Sequence, residues 1–350
     1  MSNASATVSR AATAAPQPTT EPAAPTGIAS ASILTCGEPR EVDCSFVVPV
    51  YNEEAELGSS IMVLMDELRQ LSLHARSFTW EIVIADNASS DKTWDLARIL
   101  ASKFPFTVRA LRIPEKGRGR ALKCAWLQSR GRVRAYMDVD LSTDIRQIPE
   151  LVGPILDGRA DVSFGSRLMP SSQVERCVKR EFISRSYNRM LQTYLGVRFR
   201  DAQCGFKAVS AEAAELLLPL IKDDGWFFDT ELLYLAERLG IATNEFPVRW
   251  REDPGTTVHI VDTVRKDLAG MRRLKNAHVP RVDSLPAVAT APIGIDAAKS
   301  SVAEKIAPRG GAAHAAVVTP AAAAGAGTRG TGSGPVTAPH LTLGHAAGVR

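Results

Sequence analysis

The stretch VRAYMDVD, at positions 133–140, joins an apolar run to two carboxylates. A continuous apolar run of this length predicts a strand buried on both faces, as in a parallel sheet. Asp138 and Asp140 stand two residues apart at its end. Two ionised carboxylates repel each other unless a positive group lies between them. The pair therefore predicts a site for a divalent cation with oxygen ligands, and a capping Asp beside a solvated Asp is the alternative.

Three further apolar runs precede this stretch, and segments with helical periodicity separate them. The predicted strands cover 44–50, 80–86, 106–113 and 133–140, and the predicted helices cover 54–71, 94–100 and 120–129. Beyond position 145 the pattern is less regular, with one short strand predicted at 160–166. Alternation of helices with continuously apolar strands predicts an α/β fold, in which helices flank a mostly parallel, Rossmann-like sheet.

The ordered part of the 350-residue chain is predicted to be a single domain at 42–276. Residues 1–41 are rich in Ala, Pro, Ser and Thr, and residues 277–350 are rich in Ala and Gly. Neither segment has enough large apolar side chains to form a core, which predicts disorder in both.

Composition limits the class of protein. The net charge of +4 does not by itself indicate a nucleic-acid partner, and the five cysteines include no C-x-x-C pair. An odd number of widely spaced cysteines favours a reducing compartment over a disulfide framework or a zinc site. No stretch approaches the ~18 apolar residues of a membrane span, and no secretory signal is recognisable at the N-terminus. A cytoplasmic protein is expected.

Polar clusters follow all four main strands. They read PVYNEE (49–54), DNASSDKT (86–93), PEKGRGRA (114–121) and DVDLS (138–142). Ligands of doubly wound sheets bind at the carboxyl ends of the strands, so these clusters predict one shared binding site. No G-x-G-x-x-G follows the first strand and no P-loop motif occurs, which argues against a nicotinamide site and against a P-loop site.

Individual positions in these clusters have competing interpretations. Asp86 ends a strand where a carboxylate could recognise a ribose or a base, whereas Asp91 is placed to cap the next helix. Gly117 and Gly119 would let the backbone approach a ligand. Positive charge for a diphosphate would come from the neighbouring Lys116, Arg118 and Arg120. A basic turn without a ligand is the alternative for this cluster.

The most basic region covers 164–190. Arg176, Arg180 and Ser184 are spaced by four and are predicted to share one helical face. Acidic partners are few in this region, so phosphate binding competes with the ordinary interpretation of a solvated face. No aromatic stacking platform is interleaved with the cations, and a general nucleic-acid binder is therefore disfavoured.

Seven motifs occur in order over positions 45–275 and carry a resemblance to a known family. They are VVPVYNEE (47–54), IADNASSDKT (84–93), KGRGRAL (116–122), DVD (138–140), GSR (165–167), DAQCGFKAVS (201–210) and WFFDTELLYLA (226–236). The chain resembles the family 2 glycosyltransferases with the GT-A fold, within them the dolichol-phosphate glucose and mannose synthases. QCGFK and FDTELL resemble the polyprenyl-phosphate branch, and FDTELLYLA is more similar to its glucosyl members.

The resemblance implies a role for each matching position. Catalytic roles fall to Asp140, Asp201 and Arg167, and Mg2+ or Mn2+ on the donor diphosphate would be held by Asp138 and Asp140. The nucleotide would be bound by Pro49, Tyr51, Glu53, Asp86, Lys116 and Val139. Phosphates of the lipid or the donor would be bound by Arg167, Arg180 and Ser184. Asp201 and Gln203 would face the reacting sugar. Asp229 and Glu231 would lie near the sugar hydroxyls or would order that region.

Two positions depart from the family pattern. Ser142 stands where mannosyl members often carry a Gln that ligates the metal. Val258 lies in GTTVH (255–259), a late loop where the family has a Lys that binds phosphate. His259 and Arg251 are candidates to replace that Lys, and the sequence favours neither.

The resemblance implies inverting, metal-dependent transfer of a hexose from a nucleotide-diphosphate sugar to a polyprenyl phosphate. UDP-glucose is the favoured donor, with GDP-mannose as the alternative. A phosphate acceptor is already anionic near neutral pH, since its second pKa is about 6. A soluble or saccharide hydroxyl acceptor would need a general base, for which Asp201 is the candidate. A non-catalytic nucleotide-sugar-binding scaffold is the second alternative, and the intact pair of Asp138 and Asp140 counts against it.

The segment VDTVRKDLAGMRRLK (261–275) has an apolar stripe with cations around it. The stripe consists of Val261, Val264, Leu268 and Met271. This pattern fits a helix that lies on an anionic lipid surface, and it fits equally a helix docked on the core. The first interpretation predicts peripheral contact with the inner face of the cytoplasmic membrane.

Overall fold

The computed structural model describes residues 32–34, 41–75, 78–252 and 260–277, and it describes side chains at 41–75, 78–252 and 265–277. The late loop with Val258 and His259, and the side chains of Val261 and Val264, therefore lie outside the described residues. Ser32–Leu34 lies within the predicted disordered tail and is described as a strand.

Ten strands and eight α-helices occur in the described ranges. The strands are β1 (Ser32–Leu34), β2 (Val42–Val50), β3 (Trp80–Asn87), β4 (Val108–Ile113), β5 (Gly131–Met137), β6 (Val162–Ser166), β7 (Gln173–Glu175), β8 (Phe206–Ser210), β9 (Thr243–Pro247) and β10 (Arg249–Arg251). The α-helices are α1 (Leu57–His74), α2 (Thr93–Lys103), α3 (Arg118–Leu127), α4 (Ile148–Leu156), α5 (Val178–Leu195), α6 (Ala211–Leu217), α7 (Phe228–Arg238) and α8 (Ile260–Asn276).

Eight of these strands form one sheet in the order β1-β4-β3-β2-β5-β8-β6-β9. Strands β4, β3, β2 and β5 are parallel neighbours, as are β6 and β9, whereas β8 runs antiparallel between β5 and β6. The predicted mostly parallel sheet is confirmed. Strand β5 ends at Met137, three residues earlier than predicted, so Asp138 and Asp140 lie in the loop beyond the sheet.

Alternate side chains of the strands pack into two cores, one on each face of the sheet. Helices α1, α2 and α4 cover the face that receives Phe46, Val48 and Val50. Helices α3 and α5–α8 cover the face that receives Val47. Each fully buried apolar side chain stabilises the fold by about 1.5–3 kcal/mol.

Helix α8 packs on the second core rather than standing free. Met271 and Leu274 are buried in it, and a Cβ on Gly270 would lie 2.5 Å from the ring of Phe227. Leu268, from the predicted stripe, remains 47% exposed. For the described side chains, the docked interpretation of this helix is confirmed. No helix in the described ranges combines the length and apolarity that crossing a bilayer requires.

Three loops at the carboxyl ends of neighbouring parallel strands contain a non-glycine residue in the left-handed region. These residues are Asn52 after β2, Ala88 after β3 and Leu141 after β5, with φ values of 56°, 60° and 48°. Such conformations cost free energy and persist where surrounding contacts fix them, often at functional sites. The sharp turns direct all three loops over the same edge of the sheet.

Candidate functional site

The loops after β2 and β3 are joined by hydrogen bonds. The backbone N–H of Asn52 donates to Ser89 Oγ at 3.0 Å, and Asn52 Oδ1 accepts from the N–H of Ser90 at 2.9 Å. The N–H of Glu53 donates to Thr93 Oγ1 at 2.7 Å. These bonds hold Tyr51 and Glu53 beside the end of β3, where Asp86 pairs in register with Val50, the residue after Pro49.

Asp86 is a fully buried carboxylate at this edge. Neither of its oxygens has a donor in good hydrogen-bond geometry among the described residues, although Ser89 and Arg112, the latter 3.6 Å away, favour its charged form. Burial raises the pKa of Asp86. A buried acceptor without a donor is costly, so a ligand that supplies an N–H or O–H group would relieve that cost.

Tyr51 and Lys116 form the exposed rim of the same region. Lys116 Nζ lies 3.4 Å from the centroid of the Tyr51 ring. Within the described ranges, no carboxylate forms an ion pair with Lys116. The contact holds an uncompensated cation at the mouth of the site, where it can meet an anionic ligand.

Gly117 and Gly119, in the PEKGRGRA cluster (114–121), pack against protein atoms, whereas close approach to a ligand was predicted for them. A Cβ on Gly117 would lie 2.6 Å from the carbonyl oxygen of Asp224, and one on Gly119 would lie 2.6 Å from Phe228 Cβ. The glycines thus allow a neighbouring chain segment to pack closely against this turn. Arg120 also departs from the prediction, because its guanidinium pairs with Asp224 at 3.1 Å and with Glu115.

Arg118 pairs with Asp138, the first of the two carboxylates after β5. Its Nη2 lies 2.8 Å from Asp138 Oδ1, and its Nε lies 3.9 Å from Asp229 Oδ2. Burial alone would lower the pKa of Arg118, but the Asp138 carboxylate raises it above the ordinary value. Lys207, which is fully buried, lies 2.9 Å from Asp229, and Tyr136 donates to the same carboxylate. Two cations and two carboxylates therefore interlock beneath the site.

The loop that carries Asp138 and Asp140 is tightly packed. The N–H of Ser142 donates to Asp140 Oδ1 at 3.0 Å, and a Cβ on Gly205 would lie 1.8 Å from Asp138 Oδ2. Val139 is buried in the first core, so only its backbone faces a ligand. Among the described residues no group of three His, Cys, Asp or Glu could hold a metal. Asp138 and Asp140 therefore have no third acidic, thiol or imidazole ligand among the described residues, and carboxylate oxygens of this kind suit divalent cations such as Mg2+ or Mn2+.

Arg167 and Asp201 form a buried bidentate ion pair beside this loop. Nε and Nη2 of Arg167 donate to the two carboxylate oxygens at 2.8 and 2.9 Å. Burial would raise the pKa of Asp201, but Arg167 overcomes it and holds the pKa at about 2. A carboxylate so strongly stabilised as the anion is a poor general base near neutral pH, so the geometry does not support that predicted role for Asp201.

Gln203 and Glu231 contact helix α8. Gln203 Nε2 donates to Asp267 Oδ2 at 3.3 Å, and Glu231 accepts from Arg273 Nη2 at 2.9 Å and from the N–H of Asp223 at 2.9 Å. Burial raises the pKa of Asp267 to about 6. Of the two alternatives predicted for Glu231, the contacts support an ordering role.

The basic helix α5 is better neutralised than the sequence suggests. Arg180 Nη1 lies 2.6 Å from Glu252, while Arg176 and Arg185 both pair with Glu181. Ser184 is half-buried on the same helix. The first turns also present two exposed apolar side chains, Val178 at 85% and Phe182 at 71%. The expectation that acidic partners are few here is therefore wrong.

Sequence reasoning missed several members of the site. Lys207 lies in the recognised motif DAQCGFKAVS but has no separate signal, because its partner Asp229 is on another element. Tyr136 reads as one more apolar strand position, and Asp267 reads as a solvated position on an amphipathic helix. The antiparallel strand β8 brings Lys207 to the site, and the docking of α8 brings Asp267.

Residues 45–218 match the profile of the family described as Glycosyl transferase family 2. Dolichyl-phosphate beta-glucosyltransferase ALG5A of Trichomonas vaginalis is 30% identical over 247 residues, which cover 69% of this chain and 76% of that protein. A dolichyl-phosphate beta-glucosyltransferase of Dictyostelium discoideum is 32% identical over 61% of this chain and 67% of that protein. The chain belongs to glycosyl transferase family 2. The predicted family is thereby confirmed.

The chain is also similar to another glycosyltransferase and to a solved structure. Glycosyltransferase AglD of Haloferax volcanii is 38% identical over 231 residues, which cover 66% of this chain but 36% of AglD. Glucosyl-3-phosphoglycerate synthase from Mycobacterium tuberculosis, solved with uridine-diphosphate, superposes with a TM-score of 0.51 at 23% identity, over 68% of this chain and 81% of that one. At this identity the likeness establishes the fold alone, which is GT-A-like as predicted.

Proposed function

We propose that this protein transfers glucose from UDP-glucose to a polyprenyl phosphate. The observation that carries the proposal is the convergence of Asp138, Arg118 and the Arg167–Asp201 pair at one edge of a GT-A-like sheet. This arrangement offers carboxylates for a cation and guanidinium groups for phosphates in adjacent positions. The names of the relatives above, dolichyl-phosphate beta-glucosyltransferases, support the choice of sugar and acceptor over a mannose donor.

The donor would lie along the loops after β2, β3 and β5. Asp86 would accept hydrogen bonds from the base or ribose, with Pro49, Tyr51, Glu53 and the backbone of Val139 completing that pocket. Lys116 would meet the diphosphate at the rim. Asp138 and Asp140 would hold Mg2+ or Mn2+, which when bound supplies Lewis-acid stabilisation of the departing nucleotide diphosphate. Arg118 holds the Asp138 carboxylate in place through a contact of 2.8 Å.

The acceptor is proposed to be a phosphate because Asp201, the predicted base for a hydroxyl, and the nearby Asp229 are both committed to cations. Asp201 is held as an anion by Arg167, and Asp229 is occupied by Lys207 and Tyr136. A phosphate oxygen is already anionic near neutral pH and needs positioning, which Arg167, Arg180 and Ser184 would supply. Gln203 and Asp229 would face the sugar, with Gln203 fixed by α8.

The reaction itself is tested by sugar transfer to a short polyprenyl phosphate in detergent. Radiolabelled UDP-glucose and GDP-mannose are offered separately, each with Mg2+, with Mn2+ or with EDTA. The expected result is labelled lipid from UDP-glucose that falls by about 100-fold or more in EDTA, since a cation of this kind supplies several kcal/mol. Label from GDP-mannose alone would correct the donor. Donor binding without label in any acceptor would favour the non-catalytic scaffold.

Contact with a lipid surface is proposed for the start of α5 rather than for α8. Val178 and Phe182 are exposed at i and i+4, and Lys179, Arg185 and Arg189 lie on the same helix. Exposed apolar side chains among cations suit a surface of anionic lipid. The inner face of the cytoplasmic membrane stays the sequence-based prediction for where this contact occurs.

Phe182→Ser is expected to weaken binding to phosphatidylglycerol vesicles by about 10-fold, because burial of one Phe side chain is worth ~1.5–3 kcal/mol. Sedimentation of the full chain with vesicles measures the effect. Phe106→Ser is the matched control, since Phe106 is 78% exposed and precedes β4 at the opposite edge of the sheet. Equal losses in both variants, or no loss in Phe182→Ser, would contradict a lipid contact at α5.

A further inference from the structure

A cavity lies at the edge of the sheet opposite the proposed catalytic site. Its volume is about 440 Å³, and it opens where β2 and β5 begin and where β8 leads into α6. Three arginines and three glutamates line it, Arg130, Arg132, Arg134, Glu41, Glu212 and Glu215. At ~3.3 Å per residue, the path along β5 from Gly131 to Asp138 is about 20 Å, so the two sites are separate.

Arg134 is the buried cation of this cavity. Its side chain is 8% exposed, and its single described ion pair joins Nη2 to Glu215 Oε1 at 3.3 Å. The Nε and Nη1 atoms of the same guanidinium have no hydrogen-bond partner among the described residues. Burial lowers the pKa of Arg134, as expected for a cation whose charge is incompletely satisfied. Both atoms are also shielded from solvent, so an acceptor in the cavity would reach this guanidinium first through Nη2, the atom that pairs with Glu215. A buried guanidinium whose donors are incompletely used is costly, which favours such an acceptor.

The other two arginines differ in how closely they contact a carboxylate. Arg130 is held by the buried carboxylate of Glu81, to which its Nε donates at 2.8 Å. Arg132 is held loosely, with Nη1 3.7 Å from Asp43. Arg132 and Arg134 alternate with Val133 along β5 and therefore point to the same face of the sheet. Two neighbouring guanidinium groups on one wall can grip the oxygens of a single anion.

Glu215, the carboxylate that pairs with Arg134, can turn away into solvent. The Glu215 side chain is 57% exposed on α6, so it loses little by turning into solvent. A doubly charged anion with several acceptor oxygens would satisfy Arg134 better than one long contact to Glu215. Glu41 and Glu212 also line the cavity and repel an anion, so the occupant must be small enough to lie against the arginines and away from these two carboxylates.

We propose that this cavity binds a small phosphate-class anion through Arg134 and Arg132, with Glu215 displaced from Arg134. The site is independent of the proposed sugar transfer, because none of its residues belongs to the catalytic edge. Phosphate matches the forked guanidinium geometry, and the cavity volume lies in the range of small-molecule sites.

The proposal is tested by titrating the full chain with inorganic phosphate at constant ionic strength, with sodium chloride as the balancing salt. Isothermal calorimetry gives the Kd, and thermal unfolding gives an independent shift in Tm. Wild type is compared with Arg134→Gln, Arg134→Lys and Glu215→Gln. The matched control is Arg159→Gln, which removes an exposed arginine that pairs with Asp157 outside the cavity.

The expected result is saturable binding by the wild type and by Arg159→Gln, weakened about 10-fold or more in Arg134→Gln. Glu215→Gln is expected to bind several-fold more tightly, because the competing carboxylate is gone. This surface substitution keeps the test decisive if Arg134→Gln fails to fold. Wild-type affinity in Arg134→Lys and Arg134→Gln would place the phosphate elsewhere, the donor site included. Unchanged affinity in Glu215→Gln, or no saturable binding by the wild type, would overturn the proposal.

Discussion

Asp140→Asn is expected to lower kcat/KM for sugar transfer by about 10²–10³-fold while the fold stays intact. Asn has the size of Asp, and its Oδ1 can still accept from the N–H of Ser142, which lies 3.0 Å from Asp140 Oδ1. The substitution therefore removes one negative charge beside Asp138 and leaves the turn in place. Steady-state kinetics at several Mg2+ and Mn2+ concentrations measures the effect, and the apparent affinity for the metal is expected to fall as well.

The control for this substitution is Asp157→Asn. Asp157 accepts from Arg159 in an exposed turn after α4, close to the amino end of β6 and away from the proposed site. Its removal is expected to change kcat/KM less than twofold, as for most surface pairs. Retention of more than about a tenth of wild-type kcat/KM by Asp140→Asn would remove Asp140 from the proposed machinery.

The strands and their polar ends could be predicted because both signals are local. A run such as CSFVVPV can only be buried on both faces, and the polar clusters mark where each run leaves the sheet. The partners of the charges could not be predicted in this way. Arg118 and Arg120 stand two apart in the same basic turn, yet one reaches Asp138 and the other Asp224. Which carboxylate each arginine contacts depends on the side of α3 from which its side chain projects.

Helix α8 shows a second limit of sequence reasoning. An apolar stripe with flanking cations has the same pattern whether it covers lipid or protein. The deciding contacts involve distant residues, namely Phe227 against Gly270 and Glu231 against Arg273. The glycines of the PEKGRGRA cluster illustrate the same point. Their small size is required by the carbonyl group of Asp224 and by Phe228, which are distant in the sequence.

Asp201→Asn is expected to lower the free energy of unfolding by about 3 kcal/mol at neutral pH, because it leaves the buried Arg167 guanidinium without a counter-charge. The Arg167 side chain is 13% exposed and makes its described ion pair with Asp201 alone. The folded pKa of Asp201, about 2, lies below its ordinary value. The stabilisation is therefore present above about pH 4 and is lost as pH falls through about 2. Urea unfolding of both proteins from pH 7 downward measures the difference.

Because an unpaired charge is the cause of the loss, removal of both charges is expected to cost less than the two single losses added together. Arg167→Gln combined with Asp201→Asn is expected to be more stable than that sum by about 1–3 kcal/mol, the usual size of coupling between contacting residues. Asp157→Asn serves again as the reference for a surface carboxylate. Strict additivity in the cycle, or a stability difference that persists unchanged to pH 2, would show that packing rather than the ion pair holds this part of the site together.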